Sequence, residues 1–282
     1  MQYSKEQLLE LCLHCTVIAK SAGRAILESY ESFSLVHDVK IKADDSPVTI
    51  ADLASHNVIM QGLQQLKLSD KPFILPILSE EGSEVSPEIR RSWSNYWLVD
   101  PLDGTKDFIS KNGEFCVNIA LIHENRAVLG IIYAPYTDVL YYATAGNGAY
   151  KIIGNNQPIR IHSTAINSHV LKVVSSRRHN KASRYNMFLE HLRAKNLNHH
   201  TILSGSAIKF GLVAEGKADL YPRFGLTSEW DVAAGDCILR EAGGKLKQMD
   251  GKEFFYNKKD SLINPEFYAY GDDTYDWSSL FE

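Results

Sequence analysis

The sequence predicts a mixed α/β protein of two lobes with a cleft between them. Three observations lead there. At 282 residues the chain exceeds the length, about 250 residues, at which one hydrophobic core tends to divide. Two amphipathic helices open it and a run of β-rich segments follows. From about Val170 strands and helices alternate, which is the pattern of an α/β lobe. The division is expected between the turn Asn155-Asn156-Gln157-Pro158 and Ser168, giving lobes 1–165 and 166–282.

Helical periodicity runs over residues 4–30, where Leu8, Cys12, Cys15, Ala19, Ala22 and Ile26 recur at alternating steps of four and three and form one buried stripe. For that reason Cys12-Leu13-His14-Cys15, despite its C-x-x-C spacing, reads as core packing rather than a redox or metal pair. A polar loop with Lys40, Lys42, Asp44 and Asp45 follows. Thr49 and Asp52 have the spacing of a capping box, and Leu53, Val58, Ile59, Leu63 and Leu66 carry the second helix to about residue 67. Strands are expected at 73–78, 96–99, 115–123, 128–133 and 139–144. The second lobe reads as strand 171–175, helix 185–194, strand 201–203, helix 206–215, strand 218–221 and helix 231–242.

Composition narrows the function. With 44% hydrophobic and 23% charged residues the chain is neither disordered nor fibrous. A net charge of −4 offers no basic field for a nucleic-acid polymer, so an anionic ligand needs local groups to hold it. No apolar run approaches the roughly 18 residues of a membrane span, and the run at 73–78 is short and split by Pro76. The first residues lack a basic stretch followed by an apolar one, and four cysteines do not make a disulfide scaffold. A cytoplasmic location without a transmembrane segment is expected.

The most informative stretch is Asp100-Pro101-Leu102-Asp103-Gly104-Thr105. An apolar strand there delivers two carboxylates around a proline that fixes φ and a glycine that permits a tight turn, where a helix can start. Asp100, Asp103 and the carbonyl of Leu102 would offer hard oxygens to a cation, and the N–H groups of Gly104 and Thr105 would face a phosphate. Ser79-Glu80-Glu81 places two more carboxylates at the exit of another strand, which by itself is equally well a solvated loop. Asp52 and Asp231 sit at helix starts beside the loop segments 46–49 and 228–230, which could line a cleft between lobes. Ser206 is expected to cap a helix with Lys209 one turn along, and Arg223 leaves a strand, so these three could reach an anion.

Together the motifs Pro47-Val48-Thr49-x-Ala51-Asp52, Ser79-Glu80-Glu81, Asp100-Pro101-Leu102-Asp103-Gly104-Thr105 and Trp230-Asp231-x-Ala233-Ala234-Gly235 resemble, in order and spacing, the signatures of the inositol monophosphatase superfamily. Lys106-Asp107-Phe108-Ile109 with Asn112-Gly113-Glu114-Phe115, Leu212-Val213-Ala214-Glu215-Gly216 with Leu220-Tyr221-Pro222-Arg223-Phe224-Gly225, and Leu262-Ile263-Asn264-Pro265 are similar to its branch of CysQ-type 3′(2′),5′-bisphosphate nucleotidases. The resemblance covers nearly the whole chain and implies a layered αβαβα sandwich.

It also implies a phosphatase that uses two or three Mg²⁺ and is inhibited by Li⁺. Glu80, Asp100 and the Leu102 carbonyl would hold one ion, and Asp100, Asp103 and Asp231 a second. Thr105 would hold the attacking water, with Asp52 behind it and Glu80 assisting. The implied substrate is a small nucleotide, adenosine 3′,5′-bisphosphate cleaved to AMP and phosphate, with the 3′-phosphosulfate analogue as a second. Leu102, Asp103, Gly104, Thr105 and Asp231 would border it, and Ser206, Lys209 and Arg223 take nucleotide-binding positions. His179 matches the adenine-side histidine, although Arg177 or Arg178 would suit an anion equally well. Two departures are Asp107, where the branch often has glutamate, and Ala207, which interrupts a serine-rich turn. A monomer or dimer, with or without contact to the inner membrane face, is compatible with all of this. The alternatives are an inositol or sugar monophosphatase on the same fold and, more remotely, a non-catalytic nucleotide or metal sensor.

Overall fold

The expected stripe makes α1 (Lys5–Ser32), whose Leu8, Cys12, Cys15, Ala19, Ala22 and Ile26 are all buried. The computed structural model describes residues 3–32, 39–41, 47–166, 170–177 and 183–281. Lys42, Asp44 and Asp45 of the polar loop, and Ser168 at the expected division, lie outside them. After α1 come β1 (Val39–Ile41) and β2 (Pro47–Thr49), paired antiparallel, then α2 (Ile50–Gln64), β3 (Lys67–Leu68), β4 (Lys71–Pro72), β5 (Ile77–Ser79) and α3 (Pro87–Arg91). The chain continues through β6 (Asn95–Asp103), α4 (Thr105–Ile109), β7 (Cys116–His123), β8 (Arg126–Ala134), β9 (Val139–Thr144), β10 (Gly148–Ile153) and β11 (Ile159–Ile161). The remainder is β12 (Val170–Ser176), α5 (Ser183–Ala194), β13 (Asn198–Ser204), α6 (Ile208–Ala214), β14 (Leu220–Arg223), α7 (Glu229–Glu241), β15 (Lys245–Gln248), β16 (Phe267–Tyr270) and a 3₁₀ turn at Ser278–Leu280.

Among the described residues β5 to β11 form a seven-stranded sheet in chain order, antiparallel except for the parallel pair β5 and β6. A five-stranded sheet has the order β13-β12-β14-β16-β15, with β12 parallel to both of its neighbours and β16 antiparallel to β14 and β15. One face of the larger sheet is covered by α1 and α2 through Leu8, Leu11, Cys12, Trp97, Val117 and Ile119. A core of Tyr96, Leu98, Tyr141, Phe210, Val232, Cys237 and Phe267 joins its other face to α6, α7 and the smaller sheet. The outer face of the smaller sheet is closed by Tyr185, Phe188, Leu192 and Trp277. The layers run helix, sheet, helix, sheet, helix, which is the αβαβα sandwich.

Local chemistry explains where the elements depart from expectation. The strand expected at 73–78 starts only at Ile77, after Pro76, whose ring cannot donate to the ladder. The helix expected from Ser206 starts at Ile208, and Ser206 is not its cap: with φ of 46° it turns left-handed, and Ala207 takes the N-cap position. The helix expected from Asp231 starts two residues earlier, capped by Ser228. Strands β1 to β4, β10, β11, β15 and β16 were not foreseen, and Lys40 of the expected polar loop lies in β1. All four cysteines are buried free thiols, in keeping with the packing reading of Cys12 and Cys15. No described helix is long and apolar enough to cross a membrane.

Helix α7 lies directly against β8, and a methyl group on Gly130 would run into the carbonyl oxygen of Ala234. That oxygen belongs to a helix backbone and cannot swing aside. Gly130→Ala is therefore expected to cost about 1–3 kcal/mol, as core overpacking does, and to lower the melting temperature. An unchanged melting curve would show that α7 is not seated this closely.

Candidate active site

Two helix starts use the same device. At α2 the Thr49 amide and hydroxyl both donate to Asp52 Oδ2, at 2.7 and 2.6 Å, while Ala51 N donates to Thr49 Oγ1. At α7 Ser228 N donates to Asp231 Oδ2 at 2.8 Å, with Asp231 as the third helical residue of a capping box. Each box fixes a carboxylate at the positive end of a helix. Asp52 then accepts from Thr105 at 3.0 Å through its other oxygen, and Thr105 Oγ1 also lies 3.3 Å from the Leu102 carbonyl. Helix α2 grips the same loop a second time, where Ser55 Oγ donates to the Pro101 carbonyl at 2.7 Å.

Strand β6 breaks register between Asp100 and Asp103, and the irregularity turns its end inward. Leu102 N donates back to Asp100 Oδ1 at 3.0 Å. Gly104, at φ of 97°, makes the turn into α4, a conformation costly for any residue with a Cβ. Strand β5 ends beside β6, with Glu80 N donating to the Val99 carbonyl. These paths bring carboxylate oxygens of Glu80, Asp100 and Asp231 within 4.8 Å of one another. Burial, followed by repulsion from Glu80, Asp103 and Asp231, holds the Asp100 carboxyl well above its ordinary range. Burial first, then Asp103 and Glu80, push Asp231 up to about 8. Hard oxygens crowded in this way fit a divalent cation such as Mg²⁺, whose charge would favour the carboxylate form of Asp100 and Asp231.

Asp103 stands outside that group of three. Its Oδ2 accepts from Ala207 N at 2.5 Å and from Asn118 Nδ2 at 3.4 Å, with the Cys116 thiol at 3.9 Å, so it ties β6 to the turn before α6. Burial raises its carboxyl, while Lys209 and the Ala207 amide work against the rise. Sequence reading passed over Asn118 and Cys116, although a polar residue two positions after Cys116 in an otherwise apolar strand marks one shared face.

Glu80, Asp103 and Asp231, but not the buried Asp100, open into a cleft of about 210 Å³ lined also by Gly104, Thr105, Lys209 and Arg223. Asp107 and Ala207, the two departures, also line it. Ser206 and Lys209 are both buried in its wall. Lys209 Nζ turns back onto the carbonyls of Ser206 and Ser204, the latter at 3.4 Å, and lies 5.2 Å from the centre of the Tyr221 ring. Burial, and after it the charge of Arg223, bring its ammonium down to about 8. Arg223 is steadied by the carbonyls of Gly225 and Leu226, at 3.2 and 3.0 Å. Arg177 pairs with Glu114 at 2.6 Å. His179 and Arg178 lie outside the described residues.

Residues 10–274 match the model of the inositol monophosphatase family. The chain belongs to that family. A family member of Salmonella typhimurium called 3′(2′),5′-bisphosphate nucleotidase CysQ is 43% identical over 250 residues, which span 89% of this chain and 95% of the relative. A crystal structure of CysQ from Bacteroides thetaiotaomicron, described as a bacterial member of the inositol monophosphatase family, superposes with a TM-score of 0.77 at 39% identity, covering 96% of this chain and 99% of the other. An inositol monophosphatase from Anabaena (Nostoc) superposes with a TM-score of 0.68 at 26% identity, over 97% and 94%. The resemblance read from the motifs thus holds at the level of the family and of its CysQ relatives.

The crowding generates a prediction about stability. Asp231 is held near 8 against an ordinary 3.8, and Asp52 near 6, mainly by burial. A folded-state value above the unfolded one means that the folded protein binds the proton more tightly. The stabilisation is complete below about pH 4 and is lost as pH rises through 6 and then 8. Metal-free protein should therefore melt at a lower temperature at pH 8.5 than at pH 5.5, and Mg²⁺ should raise the melting temperature more at pH 8.5. Equal effects of Mg²⁺ at both values would contradict the reading.

Proposed function

We propose that this family member hydrolyses the 3′-phosphate of adenosine 3′,5′-bisphosphate to AMP and phosphate with Mg²⁺, and treats the 3′-phosphosulfate analogue as a second substrate. The observation that carries the reading is one cleft with a cluster of acidic ligands at one end and Lys209 and Arg223 in its wall. A molecule with two phosphates suits both: one beside the carboxylates, the other toward the cationic side chains. The names of the CysQ relatives support the same substrate class. The lobes divide near residues 165 and 166 in this reading, and Asp231 and the nucleotide contacts come from the second.

Glu80, Asp100 and Asp231 would hold Mg²⁺, with Asp103 and the Leu102 carbonyl at the border of the site. Bound there, Mg²⁺ supplies Lewis-acid polarisation of the phosphate and eases deprotonation of water. The protein's own part is positioning. Thr105 donates its hydroxyl proton to Asp52, so its oxygen is left to accept from a water in the cleft and to hold that water in place. Asp52, raised to about 6 chiefly by burial, is basic enough near neutral pH to take the proton passed through Thr105. Glu80 faces the same water from the exit of β5. Gly104 and Thr105 present the start of α4 to the phosphate, and Ser206 lines the nucleotide end. His179 is kept as a proposed adenine contact.

Phosphate release from adenosine 3′,5′-bisphosphate and from inositol 1-phosphate, side by side, tests the proposal. Release from the nucleotide should require Mg²⁺, stop with EDTA and fall with Li⁺, and it should exceed release from the inositol ester. Preference for the inositol ester would overturn the substrate; silence on both would favour a non-catalytic sensor. Arg223→Ala should raise KM for the bisphosphate about tenfold or more, the loss of one charge-assisted contact, with little effect on a small monophosphate. Equal losses on both substrates would contradict the role given to Arg223.

A further inference from the structure

The segment from Asn257 to Asn264 forms no helix or strand, and half of its residues are exposed, yet both of its ends are buried. It lies across the start of α7. Asn264 Nδ2 donates to the Ser228 carbonyl at 2.6 Å and to Thr227 Oγ1 at 3.2 Å, and its amide donates to the Thr227 carbonyl at 2.7 Å. The Glu229 amide donates to the Leu262 carbonyl at 2.9 Å. The Glu229 carboxylate, almost fully buried, accepts from Asn257 N at 2.8 Å and from Lys259 Nζ at 3.1 Å. Thr227, Ser228 and Glu229 are thus all held by this one segment.

The other side of the segment is anchored as firmly. Arg90, 1% exposed at the end of α3, donates to Asn257 Oδ1 at 2.6 Å and to the carbonyls of Lys259 and Asp260, while Asn257 Nδ2 donates back to the Arg90 carbonyl. Asn257 has φ of 59°, a left-handed conformation that asparagine tolerates better than most residues. Tyr256, just before it, donates its amide to the Asn125 carbonyl, accepts from the Asn125 side-chain amide at its own carbonyl, and donates its hydroxyl to Asp236 of α7. Hydrogen bonds from buried polar groups, more than apolar burial, hold the segment down.

We infer that residues 257–264 form a strap that sets the position of Asp231, with Asn264 and Asn257 as positioning residues. The inference rests on the reading of Asp231 as a cation ligand. At its helix start Asp231 is held by Ser228: Ser228 N donates to its Oδ2, and the Ser228 carbonyl accepts its backbone amide at 3.1 Å. Asn264 binds that same carbonyl. Removing its carboxamide releases the residue on which the Asp231 carboxylate depends, without touching Asp231, Glu80 or Asp100. A group that bonds a metal ligand directly typically changes metal affinity by about 10–100-fold; Asn264 acts through Ser228, one bond further out, so the low end of that range is expected.

The test is Mn²⁺ binding to the whole chain, by calorimetry or by electron paramagnetic resonance of the free ion, together with the melting temperature of each metal-free variant. Asn264→Ala should raise the Kd about tenfold, and the Mg²⁺ concentration that half-saturates turnover should rise in step, with kcat at saturating Mg²⁺ within about threefold of the starting protein. Lys259→Ala, whose side chain is 39% exposed so that water can take the place of its ammonium beside Glu229, should raise the Kd by less than Asn264→Ala does. Should Asn264→Ala fold poorly, Lys259→Ala decides. A lower melting temperature with an unchanged Kd in both variants would make the strap merely structural and overturn the inference. Asp231→Asn serves as the reference: if it leaves the Kd unchanged, or the starting protein binds no Mn²⁺, the cation reading itself fails and the strap's role fails with it.

Discussion

Three carboxylates brought within 4.8 Å of one another in a largely buried place set the terms for the rest of the molecule. Each loses solvation and meets the charge of its neighbours, so the cluster is destabilising until a proton or a cation joins it. No single element could deliver all three. Glu80 comes from the exit of β5, Asp100 from the disturbed end of β6 and Asp231 from the first turn of α7. What keeps them together is the stiffness of the three supports, not attraction among the groups.

The layered fold supplies that stiffness. Parallel pairing of β5 with β6 puts Ser79 opposite Val99, so Glu80, just past the end of β5, comes beside Asp100 of β6. Helix α7, lying between the two sheets, carries its first turn to the same edge while its later residues pack against β8 at Gly130. Helix α2 approaches from the other face and reaches through the loop with Asp52 and Ser55. Helices from both sides of one sheet thus meet at the end of β6. Asp103 gives up its oxygen to Ala207 and so locks the turn before α6 to the same strand end, which places Lys209 in the cleft wall.

Much of this was legible in the sequence, and the reasons for the gaps are physical. Capping spacing read Thr49 and Asp52 correctly, because both halves of a capping box lie within four residues. The buried stripe of α1, from Leu8 to Ile26, declared itself over about five turns and disposed of the C-x-x-C pair. The short strands β10, β11, β15 and β16 escaped because runs of three to six residues carry little periodicity, and β16, buried on every residue, has no alternation to read. Ser206 looked like a cap, yet it turns left-handed beside a contact across the chain, between Ala207 and Asp103, that no local pattern reports. Asn264 stood out in the sequence only as part of a motif similar to one branch of the family, and its bonds to Thr227 and Ser228 span more than thirty residues.

The central claim is that the buried carboxylates are the seat of a divalent cation. Crystals grown with Mn²⁺, a hard ion that shares the oxygen preference of Mg²⁺, test it most directly through the ion's anomalous scattering. The account predicts an anomalous peak bounded by Glu80, Asp100 and Asp231, lost in Asp100→Asn. No peak at saturating Mn²⁺, or a peak that stays away from these three side chains, would contradict it.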